Sequence, residues 1–243
     1  MRAVCVLAVV MVTFCVAGLA CAAEQEERRF NTEAEFSYVN TSGNSEVTTL
    51  SAKNKMIYKF TDKVSGRWKF QALNGKSDGK RDAEAYSMEL RGDYAPTERF
   101  YNYVAANWLT DRFADIDYRY TYGVGSGYKF LTGPVHFLLA EAGLTYTLEK
   151  LIDDSDDEYL GGRLYTEYIY QITKDTKFSQ SLEGLFDFER MRNYMLNSET
   201  ALITSINSIF SFKTSYIVKY DNEPAKNSDN TDTILAAALV ASF

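Results

Sequence analysis

From about residue 31 onward the chain alternates apolar and polar side chains with a period of two, which confines it to pleated strands. Over 47–60 the even positions Leu50, Ala52, Met56, Tyr58 and Phe60 oppose Ser51, Lys53, Lys55 and Lys59. Over 84–94, Tyr86, Met88, Leu90 and Tyr94 oppose Ser87, Glu89, Arg91 and Asp93. Over 117–130, Tyr118, Tyr120, Tyr122, Val124, Tyr128 and Phe130 oppose Arg119, Thr121, Lys129 and three glycines. Over 177–188, Phe178, Leu182, Phe186 and Phe188 oppose Ser179, Ser181, Glu183 and Asp187. A helix would scatter such a set around its cylinder, whereas a strand gathers it on one face.

The alternation predicts twelve strands, at 31–40, 47–60, 66–75, 84–94, 100–111, 117–130, 135–148, 161–172, 177–188, 197–206, 209–221 and 232–243. Most exceed the length of about 5–6 residues usual in soluble sheets. They match the roughly 9–11 residues that a tilted strand needs to cross a bilayer. The connections at 61–65, 95–99, 131–134, 173–176 and 207–208 are short. Those at 41–46, 75–83, 149–160, 189–196 and 222–231 are longer and polar, with 112–116 the short exception on that side. An even strand count with long loops at one end and short turns at the other describes an antiparallel, up-and-down transmembrane β-barrel of the bacterial outer-membrane type. Both termini then lie on the periplasmic side. A soluble sandwich or lipocalin-like barrel is the alternative, with its apolar face turned inward.

Aromatic residues favour the membrane. The chain has 18 Tyr, 15 Phe and 2 Trp, and the predicted order gathers many of them into two outward bands. Tyr58, Phe60, Trp68, Tyr94, Phe100, Tyr128, Phe130, Tyr168, Tyr170, Phe210 and Phe212 lie near the short turns. Tyr86, Trp108, Tyr118, Tyr120, Tyr146, Phe188 and Tyr216 lie near the long loops. Rings of this kind prefer headgroup depth. The closing Phe243, at the end of an alternating strand, resembles the signal read by the outer-membrane barrel assembly machinery, although Ala241 stands where a second aromatic is usual.

Residues 1–22 read as an export signal: Arg2, an apolar run, then Ala20-Cys21-Ala22. Cleavage after Ala22 leaves 23–30 as a short periplasmic start and 31–243 as the barrel. An uncleaved anchor and lipid attachment at Cys21 are the alternatives. All three cysteines lie within this leader, so the expected mature chain holds no disulfide, thiol catalyst or thiolate metal site. A formal net charge of −7 argues against nucleic acid as a partner.

The stretch Leu109-Thr-Asp-Arg112, followed by Asp117-Tyr-Arg119 and Gly123-Val-Gly125-Ser-Gly127-Tyr128, resembles the centre of the YdiY-like family of salt-induced outer-membrane proteins. Asn40-Thr-Ser-Gly43-Asn44-Ser45, Glu141-x-Gly143, Tyr220-Asp-Asn222-x-Pro224 and Thr231-Asp232-Thr233 fit the same pattern. The resemblance covers about 31–243 and implies a barrel of unestablished activity, with expression linked to salt stress in some members. It brings no catalytic residue and no cofactor.

Function must then lie in the polar interior, where both signs of charge alternate. Arg67, Arg91, Asp111, Arg119, Glu141, Arg163, Glu167 and Glu183 are the candidates for lining a lumen. They can edge a water-filled path for small polar solutes or ions, or cross-link into a blocked, structural barrel. Asp111 with Glu141 is conceivable as an acid–base couple, but pairing with Arg91 or Arg119 is the commoner fate of such carboxylates. The acidic run Asp153–Glu158 reads as a solvated loop, lacking the glycine and distal glutamate of a calcium loop. Gly123, Gly125 and Gly127 recur at period two, which gives room inside the barrel or lets the sheet bend, and does not make a phosphate loop. No metal or cofactor motif is present, and the expected partners are outer-membrane lipids, lipopolysaccharide and the assembly machinery.

A barrel hydrolase would need a histidine base. The single histidine, His136, falls on the lipid face beside a short turn. Replacing His136 with Ala is expected to leave any lipid or peptide hydrolysis unchanged; loss of such turnover in a detergent assay would restore the enzyme reading.

Overall fold

The computed structural model describes residues 29–41, 47–77, 80–112, 116–224 and 230–243. The expected signal segment and nearly all of 23–30 lie outside the described residues. Twelve strands follow in chain order: β1 (Phe30–Thr41), β2 (Val47–Lys59), β3 (Val64–Ser77), β4 (Lys80–Tyr94), β5 (Phe100–Asp111) and β6 (Ile116–Thr132), then β7 (His136–Leu151), β8 (Asp156–Gln171), β9 (Thr176–Asp187), β10 (Tyr194–Ser205), β11 (Phe210–Asp221) and β12 (Thr231–Ser242). Each pairs antiparallel with its chain neighbours, and β12 returns to β1, so the sheet is a closed barrel without an interrupted order.

The face assignment follows the alternation. Phe36, Val104, Leu144 and Leu164 leave half or more of their surface outside, while Ser37, Tyr103, Glu141, Thr145 and Thr147 on the other parity are buried. In β12 the outward set is odd, Leu235 and Leu239, and Ala238 faces in. The inward-apolar alternative is overturned, because the large apolar groups surround the barrel. Both aromatic bands face outward, as Tyr58, Phe60, Tyr128 and Phe130 do at one end and Tyr118, Tyr146 and Tyr216 at the other. His136 lies exposed among them, its ring stacked on Tyr170 and its Nδ1 2.9 Å from the Tyr168 hydroxyl.

The strands run further at the long-loop end than polarity alone suggests. β3 continues to Ser77 and β4 starts at Lys80; β7 continues to Leu151 and β8 starts at Asp156. Hydropathy marks where the hydrocarbon ends, but the backbone ladder continues wherever N–H and C=O can still pair. The 152–155 turn closes through Leu151 N–H to Ser155 O (2.9 Å), with Asp154 at a φ of 66°. Its acidic neighbours serve separately: Asp153 accepts from Ser155 N–H at 3.0 Å, Asp154 pairs with Lys150 at 3.0 Å, and Glu158 accepts from the Tyr146 hydroxyl at 2.9 Å.

The seam between β1 and β12 is the shortest ladder, in register from Glu33↔Ser242 to Ser37↔Ala238. Thr32 and Phe243 extend it by exchanging two backbone bonds, of 3.1 and 2.9 Å. Inside, Lys213 on β11 reaches over Ala238 on β12 to Glu35 on β1, 2.9 Å away, so an ion pair crosses the seam.

Opposite the seam, glycines make a trough. Tyr101 and Tyr103 point inward from β5 and stand in register with Gly127 and Gly125 on β6, which face Glu141 and Gly143 on β7. A Cβ at Gly127 would lie 2.2 Å from Tyr101 Cζ. A Cβ at Gly143 would lie 2.5 Å from the Tyr103 hydroxyl and 2.6 Å from the carbonyl oxygen of Val124, which the ladder prevents from moving aside. The glycines are therefore space for two rings, laid over bare backbone much as aromatic side chains cover glycine in other sheets. Gly143→Ala is expected to cost roughly 1–3 kcal/mol and to lower the urea midpoint of the refolded barrel; an unchanged midpoint would contradict this packing.

Candidate functional site

Register sorts the interior charges into groups. On one wall, β4 to β9, adjacent rows place Asp93, Tyr103 and Arg163 beside Tyr101, Glu141, Tyr165 and Glu183. Arg91 donates to both carboxylate oxygens of Glu141, at 2.7 and 3.0 Å, and to Asp93 at 2.7 and 2.8 Å. Arg163 donates to Glu141 and to Glu183, each at 2.7 Å. The Tyr101 hydroxyl donates to Glu141 at 2.7 Å. The Arg91 guanidinium lies 4.0 Å from the Tyr103 ring centre and that of Arg163 4.9 Å from Tyr165. Glu141 thus holds two arginines and a phenol, and its side chain is only 4% exposed. Such bidentate, charge-assisted contacts fix geometry as well as charge.

The facing wall is looser. Lys53 and Lys213 share Glu35, at 3.3 and 2.9 Å, and Lys213 also meets Glu199 at 2.7 Å. Arg67 and Lys69 on β3 both approach one oxygen of Glu89, at 3.5 and 3.3 Å, and Lys55 lies 3.8 Å from Glu33. Lys55 and Lys69 point inward yet keep 40% and 46% of their side-chain surface open.

A third group sits at the long-loop end. Arg119 binds Glu149, with its Nη1 3.5 Å from Met195 Sδ. Asp187, 1% exposed, accepts from the backbone N–H of Glu189 and Arg190, at 2.8 and 3.0 Å. It also accepts from Arg190 Nε at 3.0 Å and Asn193 Nδ2 at 3.2 Å, folding the 188–193 loop over the rim, while Arg190 reaches on to Asp157.

Of the eight residues expected from the sequence, Arg91, Glu141, Arg163 and Glu183 meet in one network. Arg67 belongs to the looser wall and Arg119 to the rim. Glu167 stands in register with Leu139 and Ser181, one row nearer the short turns than Tyr165. Asp111 ends β5, in register with Ala85 and Ile116. It lies ten residues, about 33 Å, along the strand from Tyr101, which neighbours Glu141. The Asp111–Glu141 couple therefore does not exist, and Arg119 takes Glu149 as its carboxylate. The inward tyrosines 101 and 103 had a sequence signal that hydropathy hides: odd-numbered aromatics facing odd-numbered glycines on the next strand. Tyr165, in register with Glu141 and Glu183, carried no such signal. A hollow of about 660 Å³ lies at the outward face of β2 to β5, lined mainly by Met56, Tyr58, Trp68, Leu90 and Val104, with Arg67 and Arg91 also in its lining.

A closed twelve-stranded barrel with an apolar exterior, two aromatic bands and a charged interior is an outer-membrane barrel. The chain belongs to the family described as "Protein of unknown function, DUF481", whose pattern it matches over residues 34–243. It is 31% identical over 196 residues to "Uncharacterized protein YdiY" of Escherichia coli (strain K12), covering 80% of this chain and 76% of that one. Among solved structures it is similar to an outer membrane channel from Pseudomonas putida F1, with a TM-score of 0.54, 10% identity and coverage of 91% and 100%. The translocator domain of autotransporter NalP from Neisseria meningitidis gives 0.52, 9%, and 96% and 94%. The NanC porin gives 0.51, 8%, and 88% and 97%. At these identities the likeness is one of fold.

Glu141→Gln keeps the shape but leaves two arginines short of charge. It is expected to destabilise the barrel by about 3 kcal/mol, measured as a lower thermal midpoint in detergent, whereas His136→Ala is not. Equal midpoints would mean that the network does not hold this wall.

Proposed function

We propose that the protein resides in the outer membrane of a diderm bacterium, exported with a cleaved leader, and passes small polar solutes or ions through a narrow charged lumen. The observation that carries this reading is the openness of Lys55 and Lys69: side chains aimed at the barrel axis keep 40% and 46% of their surface accessible, so the interior holds room for water beside them. Charged walls of both signs would tune which solutes pass. A role under salt or osmotic stress accords with the family resemblance. Phe243 closes the seam and is the natural contact for the assembly machinery, while the aromatic bands suit lipid and lipopolysaccharide.

One observation favours a second reading, a non-conducting structural or docking barrel: Glu141, Arg91 and the two tyrosines are packed tightly enough to brace the interior. Planar-bilayer recording separates the two. The channel reading expects discrete steps above the detergent control, with a reversal potential that shifts in a KCl gradient. Absence of any step from protein folded by gel mobility would leave the structural barrel.

A further inference from the structure

Three interior cations on β2 and β3 are arranged unlike the others. Lys55 stands directly opposite Lys69, and Arg67 directly opposite Arg91. Like charges so placed repel one another, and the arrangement persists only if something offsets it. Arg91 is offset within the wall, by Asp93 and Glu141. Arg67 is not: among the described residues its Nε has no hydrogen-bond acceptor, and the nearest carboxylate oxygen, of Glu89, lies 3.5 Å away. That same oxygen also serves Lys69, at 3.3 Å, and is itself without a hydrogen bond. Lys55 has Glu33 only at 3.8 Å. Carboxylates that elsewhere in the interior approach to 2.7 Å are here fewer and further off.

We propose that Lys55, Arg67 and Lys69 form a binding site in the lumen for a small oxyanion, a solute bearing phosphate or carboxylate. The guanidinium of Arg67 offers a planar fork that matches two oxygens of such a group. Lys55 and Lys69 add point charges from the open side, where their exposure leaves room for a ligand. Glu89 positions Arg67 and Lys69 from behind without neutralising both. Lys59, at the end of β2 on the same face, extends the positive stripe toward the periplasmic mouth. Arg91 and Arg163, with carboxylate oxygens already at 2.7 Å, are structural and do not take part. The site deepens the channel reading and rests on it, since the solute must enter the lumen.

The test uses the full barrel, refolded in detergent at low ionic strength, with inorganic phosphate as the probe in isothermal titration. Wild type is expected to bind one phosphate saturably, less tightly as salt rises. Arg67→Gln and Lys69→Gln should each weaken binding about tenfold, and Arg67→Lys should weaken it too, because the fork is lost while the charge remains. Lys150→Gln, an equal charge change at the long-loop end, should bind as wild type does. Lys55→Gln serves as the second variant if either of the first two fails to refold, judged by heat-shifted gel mobility. No saturable heat from wild type, or equal affinity in all folded variants, overturns the site. Phosphate binding without conductance would end the channel reading and leave the site standing. Conductance without phosphate binding would do the reverse.

Discussion

Hydrocarbon offers no partner to a peptide group, and every other feature of this barrel follows from that constraint. Each strand must find its N–H and C=O partners on its two neighbours, and the last must return to the first. Closure also removes the choice between faces: a two-residue period puts one set of side chains on lipid and the other in the interior. The β1–β12 ladder is short, so the seam leans on additional contacts. The Ser37 hydroxyl donates to the Ala237 carbonyl at 2.8 Å, and Lys213 crosses to Glu35. Small Ala238 on β12 makes that crossing possible, because a larger side chain would stand between the lysine and its partner.

Inside, charge and volume are handled together on one wall and apart on the other. The β4–β9 wall removes Cβ atoms at Gly125, Gly127 and Gly143, which lowers the surface enough for Tyr101 and Tyr103 to lie across it. Those rings carry Arg91 above them, and Tyr101 and Arg91 both reach Glu141. The glycines, tyrosines and ion pairs are therefore one construction. Widening any of its parts displaces the rest, since interior packing leaves little slack.

The strand count, the outward parity and the aromatic bands were all legible in the sequence, because each depends on a side chain's distance from lipid and on little else. Glu141 and Arg91 were legible as interior charges, and even as partners. Asp111 was not, because parity gives the face of a strand but not the depth at which two residues on different strands meet; shear between strands decides that. Tyr101, Tyr103 and Tyr165 were missed because tyrosine counts as an outward aromatic in a membrane strand; the inward position of Tyr101 and Tyr103 is explained only by glycines on the neighbouring strands, while Tyr165 lies between Glu141 and Glu183. The long loops were overestimated for a similar reason. Polar residues such as Lys80 or Asp157 mark the end of the membrane, while the ladder that holds them continues into water.

Arginine shows how the same side chain takes opposite roles in one lumen. Arg163 has Glu141 and Glu183 at hydrogen-bonding distance and Tyr165 beneath it, so its charge is spent within the wall. Among the described residues Arg67 has one distant carboxylate, which it shares with a lysine. Its register position, between Ile57 on β2 and Arg91 on β4, supplies no acceptor at its own level. The difference does not lie in the residue or in its burial, since both side chains are mostly covered, at 18% and 23% exposed. It lies in how many carboxylates the neighbouring strands present at that depth. An interior built this way is rigid where acids outnumber bases and receptive where bases outnumber acids, so its selectivity is written in the local ratio and not in the net charge of the chain.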